Sequence, residues 1–240
     1  MAGISSETYG SVARVARLAR AVGPSRVAAL AEVLAMLTLV LSYIWIWHKR
    51  FPRDDLVVSL LYFGLCFASH LRCGEGPRSL GLRLDNWREA ARQALLPVGV
   101  GVGLPLAIGA ALGSWHFEPR NWLSGLPWHV AWATVQQYGL LCLFYRRSTD
   151  AFASPRGAAL ASAAAFALFH VPNALLVGVT FVAGLVCCAL YRRVPNVFVL
   201  GVAHALISTT LFSALPVSMT HQLRVGPAYF TVPTGSLHAS

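Results

Sequence analysis

Residues 157–215 read GAALASAAAFALFHVPNALLVGVTFVAGLVCCALYRRVPNVFVLGVAHALISTTLFSAL, and this stretch decides the class of fold. Three apolar runs are visible, interrupted first at Pro172–Asn173 and then at residues 192–196. The apolar residues are continuous rather than alternating, which favours helices over the strands of a barrel. Because a bilayer core about 30 Å thick needs roughly 20 apolar helical residues, the stretch predicts membrane-spanning helices.

The remainder of the chain has the same character. Of its 240 residues, 56% are hydrophobic and only 12% are charged, about half the charged fraction of a typical soluble domain. We therefore predict one all-α transmembrane bundle over residues 27–215. Its seven spans are predicted at 27–47, 56–69, 94–112, 126–145, 157–170, 174–191 and 197–215.

The net charge of +10 reflects membrane topology rather than a nucleic-acid partner. The lysines and arginines lie in short loops, and no basic stripe alternates with exposed aromatic residues. Fourteen of the nineteen belong to the amino terminus or to the loops after spans two, four and six. By the positive-inside rule this bias predicts a cytoplasmic amino terminus and an external carboxyl terminus, in a bacterial inner membrane.

The two ends of the chain differ from the bundle. In residues 1–26, Arg14, Arg17 and Arg20 recur every third position between apolar residues. This pattern fits either an amphipathic helix on an anionic membrane surface or a basic flank that only sets topology, and both remain open. Residues 216–240 are polar, with Gly and Pro, and we expect them outside the bundle.

The five cysteines are not arranged as a metal or redox motif. Four lie within apolar runs and no C-x-x-C pair occurs, so we expect reduced packing residues. A thiol site combining Cys142 with a histidine is a remaining alternative, but the sequence identifies no activating neighbour.

Polar side chains inside the spans are the candidates for chemistry, because burying them in lipid is costly. His204 and Ser208 are four residues apart and share a helix face, as do Phe166 and His170. The alternative for His204 is a satisfied contact between helices, and the alternative for His170 is a ring bonded to backbone carbonyls that are freed at the Pro172 break. The full set is Glu32, Gln136, Gln137, His170, Asn173, His204 and Ser208.

Three of these stretches occur in an informative order. Gln136-Gln137 with Leu141, then Phe166-Ala-Leu-Phe-His170, then His204-Ala-Leu-Ile-Ser208 resemble the E-E-x-x-x-R, F-x-x-x-H and H-x-x-x-N motifs of the CAAX protease and bacteriocin-processing (CPBP, or Abi) family of intramembrane endopeptidases. The surrounding segments "FALFHVPNALL", "RRVPNVFVLGVAHAL" and "LGLRLDNWREA" are also similar to that family. The resemblance covers about residues 80–212.

The resemblance implies a peptidase site with specific departures. In the family, the first glutamate and the span-five histidine activate water, and the span-seven histidine and asparagine stabilise the oxyanion. Gln136 cannot act as a general base, although it can orient water, so the base would be His170 or His204. The Ser208 hydroxyl can replace the asparagine amide as an oxyanion donor. Gln137 replaces the second glutamate.

The leading hypothesis is therefore an intramembrane endopeptidase that cleaves a membrane-associated protein or peptide with activated water. The alternatives are an inactive scaffold of the same fold that binds such substrates, and a small transporter or lipid-binding protein. We predict no cofactor, because two histidines leave a zinc site short of a third protein ligand. Glu32 could supply that ligand, but we expect it to bond to an arginine or water.

Overall fold

The computed structural model describes residues 25–152 and 154–231, except for the side chain of Asn121. The basic segment predicted at 1–26 lies almost wholly outside these residues, as do residues 232–240. Within the described part the chain is all-α without strands, which confirms the predicted fold class.

Nine α-helices, continued in places by π-helical or 3₁₀ turns, make up the described chain. Helix α4 runs without a break through the π-helical segment into α5. The elements are α1 Arg26–Ser42 with π-helical Tyr43–Trp47, α2 Asp54–Arg72, α3 Trp87–Leu112, α4 Pro119–Tyr138 with π-helical Gly139–Tyr145, α5 Arg146–Phe152, α6 Pro155–Leu168, α7 Ala174–Arg193, α8 Val197–Ala214, α9 Val217–Thr220, and 3₁₀ turns His221–Leu223 and Gly226–Thr231.

Five helices of the described part are long and apolar enough to cross a membrane: α1 with its π-helical extension, α2, α3, α7 and α8. The two others predicted to span are α4 and α6. Helix α6 has 14 residues, so it is about 21 Å long against a hydrocarbon core of about 30 Å. The α-helical part of α4 is less apolar than the other long helices. The membrane class is thus confirmed, and the count of seven stays a prediction for α4 and α6.

Two valine-proline-asparagine tripeptides start the last two long helices. Asn173 is the N-cap of α7, where its side-chain oxygen accepts from the Leu176 N–H at 3.2 Å. Asn196 is the N-cap of α8 and accepts from the Val199 N–H at 2.9 Å. Asparagine is among the best N-cap residues, so the sequence fixes both helix starts locally.

Helices α4 and α8 pack closely because a glycine lies at their contact. A Cβ atom added to Gly201 of α8 would lie 2.9 Å from the Cα atom of Thr134 on α4, closer than real Cβ atoms come. Small residues allow such backbone approach in membrane bundles. The approach brings Gln137, one turn beyond Thr134, next to α8.

A buried ionic cluster joins the loop after α2 to α5. The Glu75 carboxylate accepts from Arg146 Nε at 2.7 Å, contacts Nδ1 of His70 at 2.8 Å and pairs with Arg147, whose side chain is 1% exposed. Burial alone would raise the pKa of Glu75, but the His70 hydrogen bond and the two guanidinium groups outweigh it and lower that pKa. The cluster fixes one end of the bundle.

The described part of the carboxyl-terminal region does not lie outside the bundle, contrary to the prediction. Residues 217–231, called the strap below, turn back and bond to Asn173 and Val171, between α6 and α7. Apolar strap residues, among them Met219, Leu223 and Val225, line the central cavity of the bundle. The polar average composition of this region concealed these apolar side chains.

Candidate functional site

A cavity of about 2040 Å³ opens in the bundle, walled by several long helices and by the strap. Its lining is largely apolar, with few polar groups. All five side chains that the sequence singled out as site residues lie along it, namely Gln136, Gln137, His170, His204 and Ser208.

Helices α4 and α8 bring an amide and an imidazole together. The Gln137 side chain is 2% exposed, and its Nε2 atom donates to Nδ1 of His204 at 3.2 Å. An Nδ1 atom that accepts must leave the ring proton on Nε2 in a neutral imidazole. With the amide in this orientation, His204 is a hydrogen-bond donor through Nε2.

His170 is in the opposite tautomer. Its Nδ1 atom lies 2.7 Å from the main-chain oxygen of Phe166, one turn earlier on α6. A carbonyl oxygen only accepts, so Nδ1 carries the proton and the neutral ring has its lone pair on Nε2. His170 can therefore act as a proton acceptor through Nε2.

The Phe166 ring lies against both imidazoles. Its centroid is 5.0 Å from that of His170 and 5.9 Å from that of His204, with edge-to-face geometry in both pairs. This aromatic ring, from the predicted F-x-x-x-H motif, restricts the two histidines to one wall of the cavity.

The two remaining predicted residues, Gln136 and Ser208, line the cavity without a hydrogen bond to either histidine. Gln136 lines the cavity, but the hydrogen bond to His204 is made by Gln137. The Ser208 hydroxyl donates to the main-chain oxygen of Ala205 at 3.1 Å, so its proton is directed to its own helix. Ser208 is thus a weaker candidate for an oxyanion donor than the sequence indicated.

Two other interpretations are decided by the structure. Cys142 donates its thiol to the Leu80 carbonyl at 3.2 Å and lies 3.8 Å from the Tyr191 hydroxyl, and in the described part of the chain no hydrogen bond joins it to a histidine, so a Cys142–His site is not formed. Glu32 pairs with Arg72 and accepts from Ser69 at 2.7 Å, which matches the interpretation that the sequence favoured. Among the described residues, no three potential metal ligands lie together.

Sequence reasoning missed the cavity position of Cys187 and the second role of Asn173. Cys187 lies on α7 along the cavity, close to the Gln137 amide. Asn173 bonds to the strap as well as capping α7. A signal for Asn173 existed in the repeated V-P-N tripeptide, whereas Cys187 has no motif around it.

These observations define a polytopic helical membrane protein with a two-histidine site in its interior. Residues 138–210 match the family model described as type II CAAX prenyl endopeptidase, Rce1-like. The match includes His170, His204 and Ser208, begins directly after Gln137, and confirms the resemblance to the CPBP family. This part of the chain is therefore similar to a family of membrane endopeptidases. No curated protein and no solved structure matches the chain.

Proposed function

We propose that the protein is an intramembrane endopeptidase that hydrolyses a peptide bond of a membrane-associated protein substrate. The observation that carries the proposal is a pair of contacts on one cavity wall: the Gln137 amide meets Nδ1 of His204 at 3.2 Å, and Nδ1 of His170 meets the Phe166 carbonyl at 2.7 Å. His170 offers a proton acceptor and His204 offers a proton donor, the two functions that peptide hydrolysis needs.

The two imidazole rings have different roles in the proposed reaction. Nε2 of His170 takes a proton from water, and the hydroxide oxygen forms a bond to the peptide carbonyl carbon. The negative charge that develops on the carbonyl oxygen is stabilised by the Nε2–H of His204. The His170 imidazolium then returns its proton to the amide nitrogen as the C–N bond breaks, releasing an amine and a carboxylic acid. Gln137 keeps His204 in the donor form throughout.

A second candidate function is substrate binding without cleavage. An amide stands where the family has a carboxylate, and in the described part of the chain no carboxylate is hydrogen-bonded to His170 or His204. A site without a carboxylate has less power to activate water. The same apolar cavity would still accept an extended or helical membrane segment.

The test uses purified protein in liposomes with membrane-anchored fluorogenic peptides. The wild type should cleave at least one peptide, and His170→Ala and His204→Ala should each lose about a hundredfold or more in kcat. His129→Ala is the matched control, because His129 lines the same cavity without bonding to either ring, and it should retain activity. A wild type that binds peptides but cleaves none of them would favour the scaffold function.

A further inference from the structure

The turn that carries His170 is bound to the strap by three hydrogen bonds. The side-chain NH₂ of Asn173 donates to the Thr220 carbonyl at 2.9 Å and to the Arg224 carbonyl at 3.2 Å. In the reverse direction, the Gly226 N–H donates to the Val171 carbonyl at 2.9 Å. These contacts join positions about 50 residues apart in the sequence.

Asn173 uses all its hydrogen-bonding groups at this junction and is 1% exposed. Its main-chain N–H donates to the His170 carbonyl at 2.9 Å, which closes the turn, while its side-chain oxygen caps α7 through Leu176. The remaining NH₂ group is the part that contacts the strap. One side chain thus connects the histidine turn, the start of α7 and the strap.

The backbone conformation of the strap is unfavourable between the two residues that bond to Asn173. Residues His221, Gln222 and Leu223 have φ angles of 47°, 54° and 55°, in the left-handed region that side chains other than glycine rarely adopt. Such conformations persist only where surrounding contacts determine them. The two carbonyls bonded to Asn173 belong to the residues on either side of this left-handed stretch.

We propose that Asn173 is a positioning residue through which the strap sets the place of His170 in the cavity. The strap then contributes to the geometry of the site. This inference rests on the proposed role of His170, since His170 and Asn173 belong to one turn whose Val171 carbonyl and Asn173 side-chain NH₂ bond to the strap. A base displaced by about 1 Å can lose a hundredfold in rate.

The chain contains a matched control for the test. Asn196 caps α8 in the same V-P-N sequence, and its NH₂ group donates to the Arg83 carbonyl and to Asn86 instead of the strap. Serine is also a good N-cap but cannot reach both carbonyls. Asn173→Ser should therefore keep α7 capped and release the strap, and Asn196→Ser should cap α8 without affecting the strap.

Three readouts on the full-length protein in liposomes or detergent decide the proposal. For Asn173→Ser we expect amide hydrogen exchange in 217–231 to accelerate about tenfold or more. We also expect a changed ¹⁵N imidazole shift of His170, assigned by comparison with His170→Gln, and a kcat lowered about tenfold to a hundredfold with KM changed less than twofold. Asn196→Ser should leave all three near wild type. Equal effects of Asn173→Ser and Asn196→Ser would show that Asn173 acts only as a helix cap, and would overturn the proposal.

A second variant loosens the strap from its other side. A Cβ atom at Gly226 would lie 2.6 Å from Ile44 Cγ2, and the φ of 54° disfavours alanine, so Gly226→Ala should loosen the strap and its bond to Val171 without changing any residue of the turn. The same exchange, NMR and kcat changes are expected. A released strap with an unmoved His170 signal in either variant would overturn the inference. If wild type cleaves no peptide, the proposed function fails, while exchange and NMR still decide whether the strap positions His170.

Discussion

At the scale of single residues, the difference between an amide and a carboxylate at position 137 controls the chemistry of His204. A glutamine can donate to Nδ1 of His204 and leave the proton on Nε2, whereas an ionised glutamate can only accept and would require the proton on Nδ1. The glutamine is therefore compatible with a neutral imidazole that donates from Nε2, whereas beside a carboxylate a neutral imidazole would have its lone pair on Nε2.

The first prediction compares carboxylates at the two adjacent positions. Gln137→Glu should reverse the His204 tautomer and lose an oxyanion donor, which costs about 3 kcal/mol, or about a hundredfold in kcat. Gln136→Glu, which lines the cavity without this bond, should match or exceed wild type because it adds a second base near the site. Peptidase kinetics and the ¹⁵N shifts of His204 provide the measurement. An unchanged kcat in Gln137→Glu would contradict the assigned donor role.

The second prediction ranks the two polar residues of α8. His204→Ala should reduce kcat more than Ser208→Ala, because the serine hydroxyl already donates to Ala205 on its own helix. The imidazole loss should reach about a hundredfold or more, and the serine loss should be smaller. Parallel kinetics of the two variants, with matched yields from size-exclusion chromatography, would show this. The reverse order would make Ser208 the principal donor.

The sequence could identify the polar pair on α4 but not its register. Adjacent residues of a helix point about 100° apart, and nothing local determines which of Gln136 and Gln137 faces α8. That choice depends on the close approach of Gly201 to Thr134, which is a contact between helices 67 residues apart. The histidines were predictable because each belongs to a motif with four-residue spacing inside one helix.

At the scale of elements, the third prediction concerns the contact between α4 and α8. Gly201→Ala should place a methyl group against the Thr134 backbone, destabilise the fold by about 1–3 kcal/mol and separate Gln137 from His204. Gly103→Ala on α3 is the control, since its Cβ would meet nothing within 4 Å and alanine favours helix. Thermal unfolding in detergent measures both. Equal stability of the two variants would show that the helices can separate without cost.

Helix cores were predictable from the sequence, but helix ends were less so. The predicted second span, 56–69, lies within α2, which extends to Asp54–Arg72. An apolar run in the sequence reveals only the apolar part of a helix. The last turn of α2 is polar and ends at Arg72, which pairs with Glu32. The starts of α7 and α8 were close to their predicted positions because a local asparagine cap sets each one.

At the scale of the whole molecule, hydrogen bonds between loops show which loops lie at the same end of the bundle. The loops after α2 and α7 meet where Asn196 donates to the Arg83 carbonyl and Val197 donates to the Gly81 carbonyl. Glu75 adds the start of α5, which follows α4 and its π-helical segment, to the same group through Arg146. Loops that alternate along the chain thus share one end of the bundle, which is the arrangement that the predicted seven crossings would give.

The fourth prediction concerns the acid stability that Glu75 gives to this end. Its folded pKa lies below the ordinary value of 4.5, so its stabilisation is complete above pH 4.5 and is lost as pH falls toward the folded pKa. Glu75→Gln should cost about 3 kcal/mol at pH 7, because Arg147 loses a buried partner, and the two stabilities should converge in acid. Glu89→Gln, at an exposed pair on α3, should behave as wild type. Parallel pH–stability curves for wild type and Glu75→Gln would contradict the assignment.

The fifth prediction is the orientation of the whole bundle. The end fixed by Glu75, Arg146 and Asn196 holds the loops that are rich in arginine, and the positive-inside rule places it in the cytoplasm. The strap bonds to Val171 after α6 and packs on Ile44 near the end of the first span, so it belongs to the opposite, external end.

We therefore expect a cysteine introduced at Ala228, an exposed residue of the strap, to react with a membrane-impermeant maleimide from outside intact cells, in a background lacking native cysteines. A cysteine at Arg78 should react only after the cells are opened. Labelling of both positions from the same side would mean that one of the seven predicted crossings is absent, and α6, the shortest, would be the first to reassign.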